Sequence, residues 1–400
     1  MIDASLHVFI VHHAADRLAE GAFNGLRRAF AVNVEEPDAP ATVGAPDPFS
    51  NVSVIACADP AEFAAACPPD SARALFVVLL KSEMLDDEWL PILEVLALRL
   101  EQASLAQIPR QGALVFIHDA GDRGLFPAAL MESEASEFSK LGEERMRPHN
   151  LALLALHRAR LLLGRKQSGD NALRLFISHA KADGIFLADA LRNFIAQVPE
   201  LRGWYDADDL HAGRRWRKEL ESAASRSVLV AVRTEGYVAS RFCRDEFEWA
   251  LANGVPIIVV DALRSSSIPA APLPFAAVPN VRIGDGNVHR VLRAALREHL
   301  RILLVETSLA ESAALLPAAS WQVWPRLPSW AALSRHLPDP APGGGQGERI
   351  IVVVESLSSG VEFTAACDWL SRLQQPVRLQ SVTDFIQYCA THRPAPGLPA

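Results

Sequence analysis

From Leu6 to about Leu163, short runs of β-branched and apolar residues alternate with stretches of helical periodicity, and this alternation constrains the fold more than any other feature. Strands that alternate with helices are joined by crossovers, so the pattern specifies a parallel sheet with helices packed on it. The expected strands are residues 7–11, 52–56, 74–80 and 113–118, each followed by polar or turn residues. Residues 18–30 and 90–101 place apolar side chains at spacings of three and four and are expected to be helices.

With 400 residues the chain is too long for one ordinary core and calls for two or three domains. Half of it is hydrophobic and 22% is charged, the balance of a globular protein. A net charge of -8 argues against a grip on phosphate backbones, so no nucleic-acid partner is expected. The five cysteines, Cys57, Cys67, Cys243, Cys367 and Cys389, are scattered and never form a C-x-x-C pair. Neither a disulfide framework nor a zinc site is suggested, and a reducing cytoplasm fits best. The opening MIDASLHVFIVHHA lacks the basic start and cleavage site of a secretory signal, and reads as a first strand. The longest apolar stretch, residues 151–163, is broken by His157, Arg158 and Arg160, so no membrane span is expected.

The polar stretch GRKQSGDN after this stretch marks a boundary. A second series then begins, with strands at 173–178, up to Asp206, at 227–232 and at 256–260, and helices at 184–197, 216–224 and 242–253. This is a flavodoxin-like order. Beyond Ile302, RILLVE and RIIVVVES read as buried strands with helices near Ser308 and Val361, DPAPGGGQGE as a linker, and RPAPGLPA as a disordered tail. The expected division is 1–165, 170–302 and 303–400, with no function assigned to the last part.

The first series also repeats in the second. LFVVLLKSEMLDDEWLPILEVLAL from Leu75 follows the pattern of SVLVAVRTEGYVASRFCRDEFEWA from Ser227, with Lys81-Ser82-Glu83 over Arg233-Thr234-Glu235 and, at the same offset, Glu94 over Glu246. HVFIVHHAAD lies over RLFISHAKAD, which puts Phe9 on Phe176 and Asp16 on Asp183. The first copy departs where chemistry is expected: Val11 replaces Ser178 and Ala14 replaces Lys181. Glu94 is therefore expected to be inactive.

Three separated elements of the second series carry the chemistry: FISHAKAD (176–183), YDADDLHAGRRWRKEL (205–220) and SRFCRDEF (240–247). In an open parallel sheet, ligands bind outside the carboxyl ends of the strands, and these elements fall there. Together they resemble the Toll/interleukin-1 receptor (TIR) family over about a third of the chain. The first is similar to the family's box 1, the second to its BB loop with an aspartate, an apolar residue and Gly213, and the third to its S-x-W-C-x-x-E motif, with Phe242 where tryptophan is usual.

The resemblance is to bacterial TIR domains that cleave NAD+, with a degenerate TIR-like domain in front, and it implies tandem α/β domains with flavodoxin-like parallel sheets flanked by helices. It implies Glu246 as the catalytic carboxylate, contacting the ribose, and a nucleotide site drawn from Phe176, Ser178, Lys181, Asp208, Trp216, Phe242 and Cys243. The chemistry is coherent. Nicotinamide leaves NAD+ as a neutral group and needs no general acid, so one carboxylate opposite an oxocarbenium-like transition state suffices. Water as the second reactant gives ADP-ribose, and the adenine ring gives a cyclic product. NAD+ is then a substrate, and no cofactor or metal is expected; His12, His13 and His179 carry no metal-ligand spacing. Family behaviour further implies self-association through the TIR domains and an antiphage signalling role, and leaves room for a protein or nucleotide activator.

Structural alternatives stand beside these roles. Phe176 and Trp216 also suit a core, Arg214, Arg215, Arg217 and Lys218 suit a solvated surface, and Cys243 is better placed as a small buried hydrophobe than as a nucleophile. A different class of function, a non-catalytic adaptor that binds other TIR domains through the BB loop, is the alternative to the enzyme.

Overall fold

The computed structural model describes residues 6–30, 48–106, 109–132, 135–164, 173–197, 227–263, 278–283, 288–313, 320–325, 327, 333, 349–354, 361–372 and 377–391. Among the described residues the first unit is a five-stranded sheet of β1 (Leu6–His12), β2 (Val52–Cys57), β3 (Arg73–Leu80), β4 (Gln111–Ile117) and β5 (Ser136–Glu137). All pairings are parallel and the order is β2-β1-β3-β4-β5. Seven of the eight residues of β3 are buried, as a central strand covered on both faces requires.

Side chains along a strand point alternately to the two faces, and β1 divides accordingly. Leu6, Val8 and Ile10 pack toward α1 (Ala19–Phe30) and α5 (Arg147–Leu163). Phe9 and Val11 join Phe76 and Val78 against α2 (Pro60–Ala66) and α3 (Trp89–Leu105), with α4 (Ala128–Glu132) at the margin of that core. The Phe9 and Phe76 rings stack with centroids 5.4 Å apart.

The second unit is a parallel sheet of β6 (Arg174–His179), β7 (Ser227–Arg233), β8 (Ile257–Asp261) and β9 (Asn280–Arg282), hydrogen-bonded in that order. Among the described residues these strands follow one another as β1-β3-β4-β5 do in the first sheet. Its helices are α6 (Ile185–Gln197), α7 (Glu235–Ala239), α8 (Arg241–Ala252) and α9 (Val288–Ala313). The strand expected to end at Asp206 and the helix expected at 216–224 lie outside the described residues.

One core cluster runs from the first sheet through α1 and α5 to α9 and on to Val228, Val230 and Ile258 of the second sheet. The units are therefore joined by a common helical layer. At that junction Arg297 of α9 donates to the carbonyl of Ala29 and holds its guanidinium 4.3 Å over the Phe49 ring. The His149 and His289 rings meet at 4.4 Å.

RILLVE is not a strand. It lies inside α9, which passes through Ile302 without a break. A short apolar run reads equally as a strand or as part of a helix, and here the buried positions Leu292, Leu296 and Leu300 before it set a period of four that Leu304 continues.

The third unit is a parallel sheet in the order β10-β11-β12, formed by β10 (Ser320–Trp324), β11 (Arg349–Val353) and β12 (Val377–Ser381), with α10 (Val361–Arg372) and α11 (Val382–Thr391). RIIVVVES is the strand expected, and the helix expected near Val361 is α10. One face of this sheet packs on Val305 and Leu309 of α9 and on α11. The other packs on α10 and on Ala252 of α8. Among the described residues no helix is long and apolar enough to cross a membrane.

Candidate active site

The site forms where β6 ends and α8 begins. Two capping side chains set the local backbone. Thr234 accepts from the Tyr237 amide at 3.2 Å and starts α7, and Ser240 accepts from the Cys243 amide at 3.4 Å and starts α8. Caps of this kind each stabilise a helix by about 1 kcal/mol. Cys243, Phe247 and Ala250 then recur at helical spacing and bury against the sheet. Glu246 lies on the same side of the helix, one turn from Cys243 and Ala250.

On β6, Phe176 and Ser178 share a face by strand alternation. Phe176 packs partly buried against the core beneath α8, and Ser178 is buried. The Ser178 hydroxyl donates to Oε2 of Glu246 at 2.6 Å. It also lies 3.1 Å from the Tyr237 hydroxyl, which in turn donates to the carbonyl of Cys243 at 3.3 Å. Each hydroxyl has one proton. With the serine proton on Glu246, the tyrosine proton is shared between the serine oxygen and the carbonyl. Glu246 is the acceptor of the Ser178 proton, and its Oε2 is held by a strand rather than by a loop.

Burial above all pushes the Tyr237 hydroxyl far up from its ordinary value, and the neighbouring Cys243 and Glu246 add to that. Tyr237 therefore stays protonated and serves as a donor. Burial also pushes the Cys243 thiol up, which suits a packed side chain and not a thiolate nucleophile.

A second cluster sits beside the first. Asp183 accepts from the Thr234 hydroxyl at 2.7 Å and from the Gly236 amide at 2.8 Å, tying the turn after β6 to the start of α7. A Cβ at 236 would lie 2.5 Å from Asp183 Oδ1, so any larger residue there displaces that carboxylate. At the carboxyl ends of β6, β7 and β8 a cavity of about 440 Å³ is lined by Asp183, Phe186, Leu187, Thr234, Glu235 and Ala262. Neither Glu246 nor Ser178 lines it.

Of the residues expected to bind the nucleotide, the fold thus brings Phe176, Ser178, Cys243 and Glu246 together. Lys181 is exposed in the turn after β6, and Phe242 is 75% exposed on the first turn of α8. Asp208 and Trp216 lie outside the described residues. The sequence reading missed Tyr237, and it used Asp183 only as a landmark of the repeat. Thr234 signals the start of a helix, but nothing nearby in the sequence marks Tyr237 as buried against Ser178.

No curated protein matches this chain. A solved structure titled as a conserved domain protein from Vibrio cholerae O1 biovar eltor str. N16961 is 12% identical, covering 75% of this chain and 85% of that one, at a TM-score of 0.18. Residues 175–305, the segment that holds Ser178, Tyr237 and Glu246, match the family model described as TIR domain. A TIR domain is present at residues 175–305, preceded by a separate α/β unit.

Proposed function

We propose that this TIR domain cleaves NAD+ between nicotinamide and ribose, with Glu246 as the catalytic carboxylate. The observation that carries the reading is the 2.6 Å hydrogen bond from Ser178 to Glu246, which fixes the carboxylate at the carboxyl end of the sheet. Positive charge develops on the ribose as the bond to nicotinamide lengthens. A carboxylate held in place before that moment stabilises it without a reorganisation cost. Nicotinamide departs neutral, so no acid is needed, and a tyrosine locked in its protonated form is no obstacle. Water or the adenine ring completes the reaction, giving ADP-ribose or a cyclic product.

The first unit is the degenerate copy in this reading. Buried Val11 stands where Ser178 stands and Glu94 is exposed on α3, so that carboxylate lacks the hydroxyl that Ser178 offers Glu246. Asp16 accepts from the Leu18 amide and pairs with His118 at 3.0 Å, unlike Asp183. The whole chain would act as a bacterial defence effector in the cytoplasm, switched on when TIR domains assemble.

The test is NAD+ consumption by purified protein and by Glu246→Ala at low and high protein concentration, with chromatography of the products. Loss of NAD+ by the wild type alone is expected. Equal rates in both proteins would remove Glu246 from the mechanism. No turnover in an assembled wild type would favour the adaptor, whose binding to other TIR domains survives Glu246→Ala.

A further inference from the structure

We propose that the third unit positions Glu246 through Trp324, a positioning residue seated on the C-terminal end of α8. The consequence for turnover rests on the NAD+-cleaving reading above; the mechanical part stands on the packing.

Helix α8 ends in a left-handed turn. Gly254 has φ +67°, its amide donates to the carbonyl of Leu251 at 3.3 Å, and the Val255 amide donates to that of Ala250 at 3.0 Å. Glycine is the residue that closes a helix this way at little cost. Here it has a second reason. A Cβ at 254 would lie 3.3 to 3.4 Å from three ring carbons of Trp324, so the indole rests directly on the helix terminus.

Trp324 is itself fixed. It is the last residue of β10, it is 3% exposed, and its carbonyl accepts from the Val354 amide at 3.0 Å. It shares a core with Ile351 and Val353 of β11 and with Ala252 of α8. Ala252 is six residues from Glu246, about 9 Å along the helix at 1.5 Å per residue. A packed helix transmits displacement as a body, so movement of β10 arrives at Glu246. Toward its N-terminal end α8 is held by its Ser240 cap, by the Ser178 bond to Glu246 and by the packing of Cys243 and Phe247 on the sheet, so Trp324 is the third unit's contribution to a seat that the sheet provides in part.

Cys243 supplies a readout independent of the reaction. It lies one turn before Glu246 and is 4% exposed beneath the helix. Its alkylation by N-ethylmaleimide, followed by peptide mass spectrometry, reports opening of α8, and buried Cys57 in the first unit reports opening of the whole chain. Trp324→Ala should raise the Cys243 rate about 10-fold or more with Cys57 unchanged, as a local opening does, while Trp324→Phe stays within about 3-fold of wild type. Gly254→Ala should raise it too, but by less in the Trp324→Ala background, where the clash with the indole is gone and only the cost of the left-handed turn remains.

In the active enzyme, Trp324→Ala should lower kcat by about 10- to 100-fold with KM little changed, the effect of a misplaced catalytic group, and Trp324→Phe should restore it. Unchanged labelling of Cys243 in Trp324→Ala, an equal rise at Cys57, or additive effects of the two substitutions would each overturn the proposal. A wild type that consumes no NAD+ would remove the functional reading and leave the labelling result standing, because the thiol reports the helix and not the reaction.

Discussion

His157 offers a quantitative test of the junction between the first two units. It lies on α5 in the helical layer that faces α9, and it is 2% exposed. Burial, and then the positive charges of Arg160, Arg158 and His299, push its imidazole from an ordinary 6.5 down to about 2. The folded-state value is the depressed one, so the unfolded chain takes up the proton first. Stability is then fully present above pH 6.5 and is lost as pH falls toward the folded value. Two pH units below 6.5 cost about 3 kcal/mol, a sizeable part of a domain's stability. His149 acts in the same direction, lowered by burial and by Arg293 and Arg28. Asp16 contributes little in this window. Burial works against ionisation of Asp16, but its partner His118 and the Leu18 amide outweigh it, and a carboxyl held below 3.8 loses its contribution only at lower pH. The assay is urea unfolding followed by circular dichroism between about pH 7.5 and pH 4.5, on wild type and on His157→Leu, which cannot titrate. Wild type should lose about 3 kcal/mol more than the variant from pH 6.5 to about pH 4.5. Parallel pH dependences in the two proteins would show that His157 takes up its proton without opening the junction, and the reasoning would fail.

Two further substitutions probe the site. Ser178→Ala removes the bond to Glu246 and should lower NAD+ turnover by about 100-fold while costing about 1 to 2 kcal/mol of stability, measured by product chromatography beside thermal unfolding; full activity would mean the carboxylate is held by other means. Gly236→Ala drives a Cβ into the Asp183 carboxylate and should destabilise the TIR domain by about 2 to 3 kcal/mol, read as a drop in its melting temperature; an unchanged melting temperature would show that the turn after β6 yields freely.

Legibility differed by element for physical reasons. Strands buried on both faces must be apolar over consecutive positions, so β1, β3, β7 and β8 stood out, with ends displaced by a residue or two. That the first sheet is parallel followed from the alternation of strands with helices. RILLVE defeated the same logic because a helix covered on most sides also carries contiguous apolar residues. In the site, Glu246 and Ser178 were legible because a motif names them, although neither spacing nor composition says that their atoms meet. Tyr237 was not legible. Nothing in GYVAS distinguishes a tyrosine buried to serve a hydrogen bond from one on a surface turn, since the difference lies in strand β6, about 60 residues earlier. Trp324 is harder still, because its partner is a glycine whose importance is the absence of a side chain.

The two flanking units both pack on α9, but only the third also packs on α8, and this gives them different access to the chemistry. The first unit reaches it through α9, which packs on Val228, Val230 and Ile258. The third reaches it through the end of α8, whose other residues pack on Leu229, Ala231 and Val259. Successive residues of β7 therefore report to different units, and only the α8 face carries Ser178, Tyr237 and Glu246. A rearrangement in the first unit reaches the carboxylate across the parallel sheet or by way of α9 and the third unit, whereas one in the third acts directly on the helix that bears it. The same logic assigns different consequences to damage: substitutions at the α5 and α9 junction should change stability before turnover, and substitutions around Trp324 should change turnover before stability.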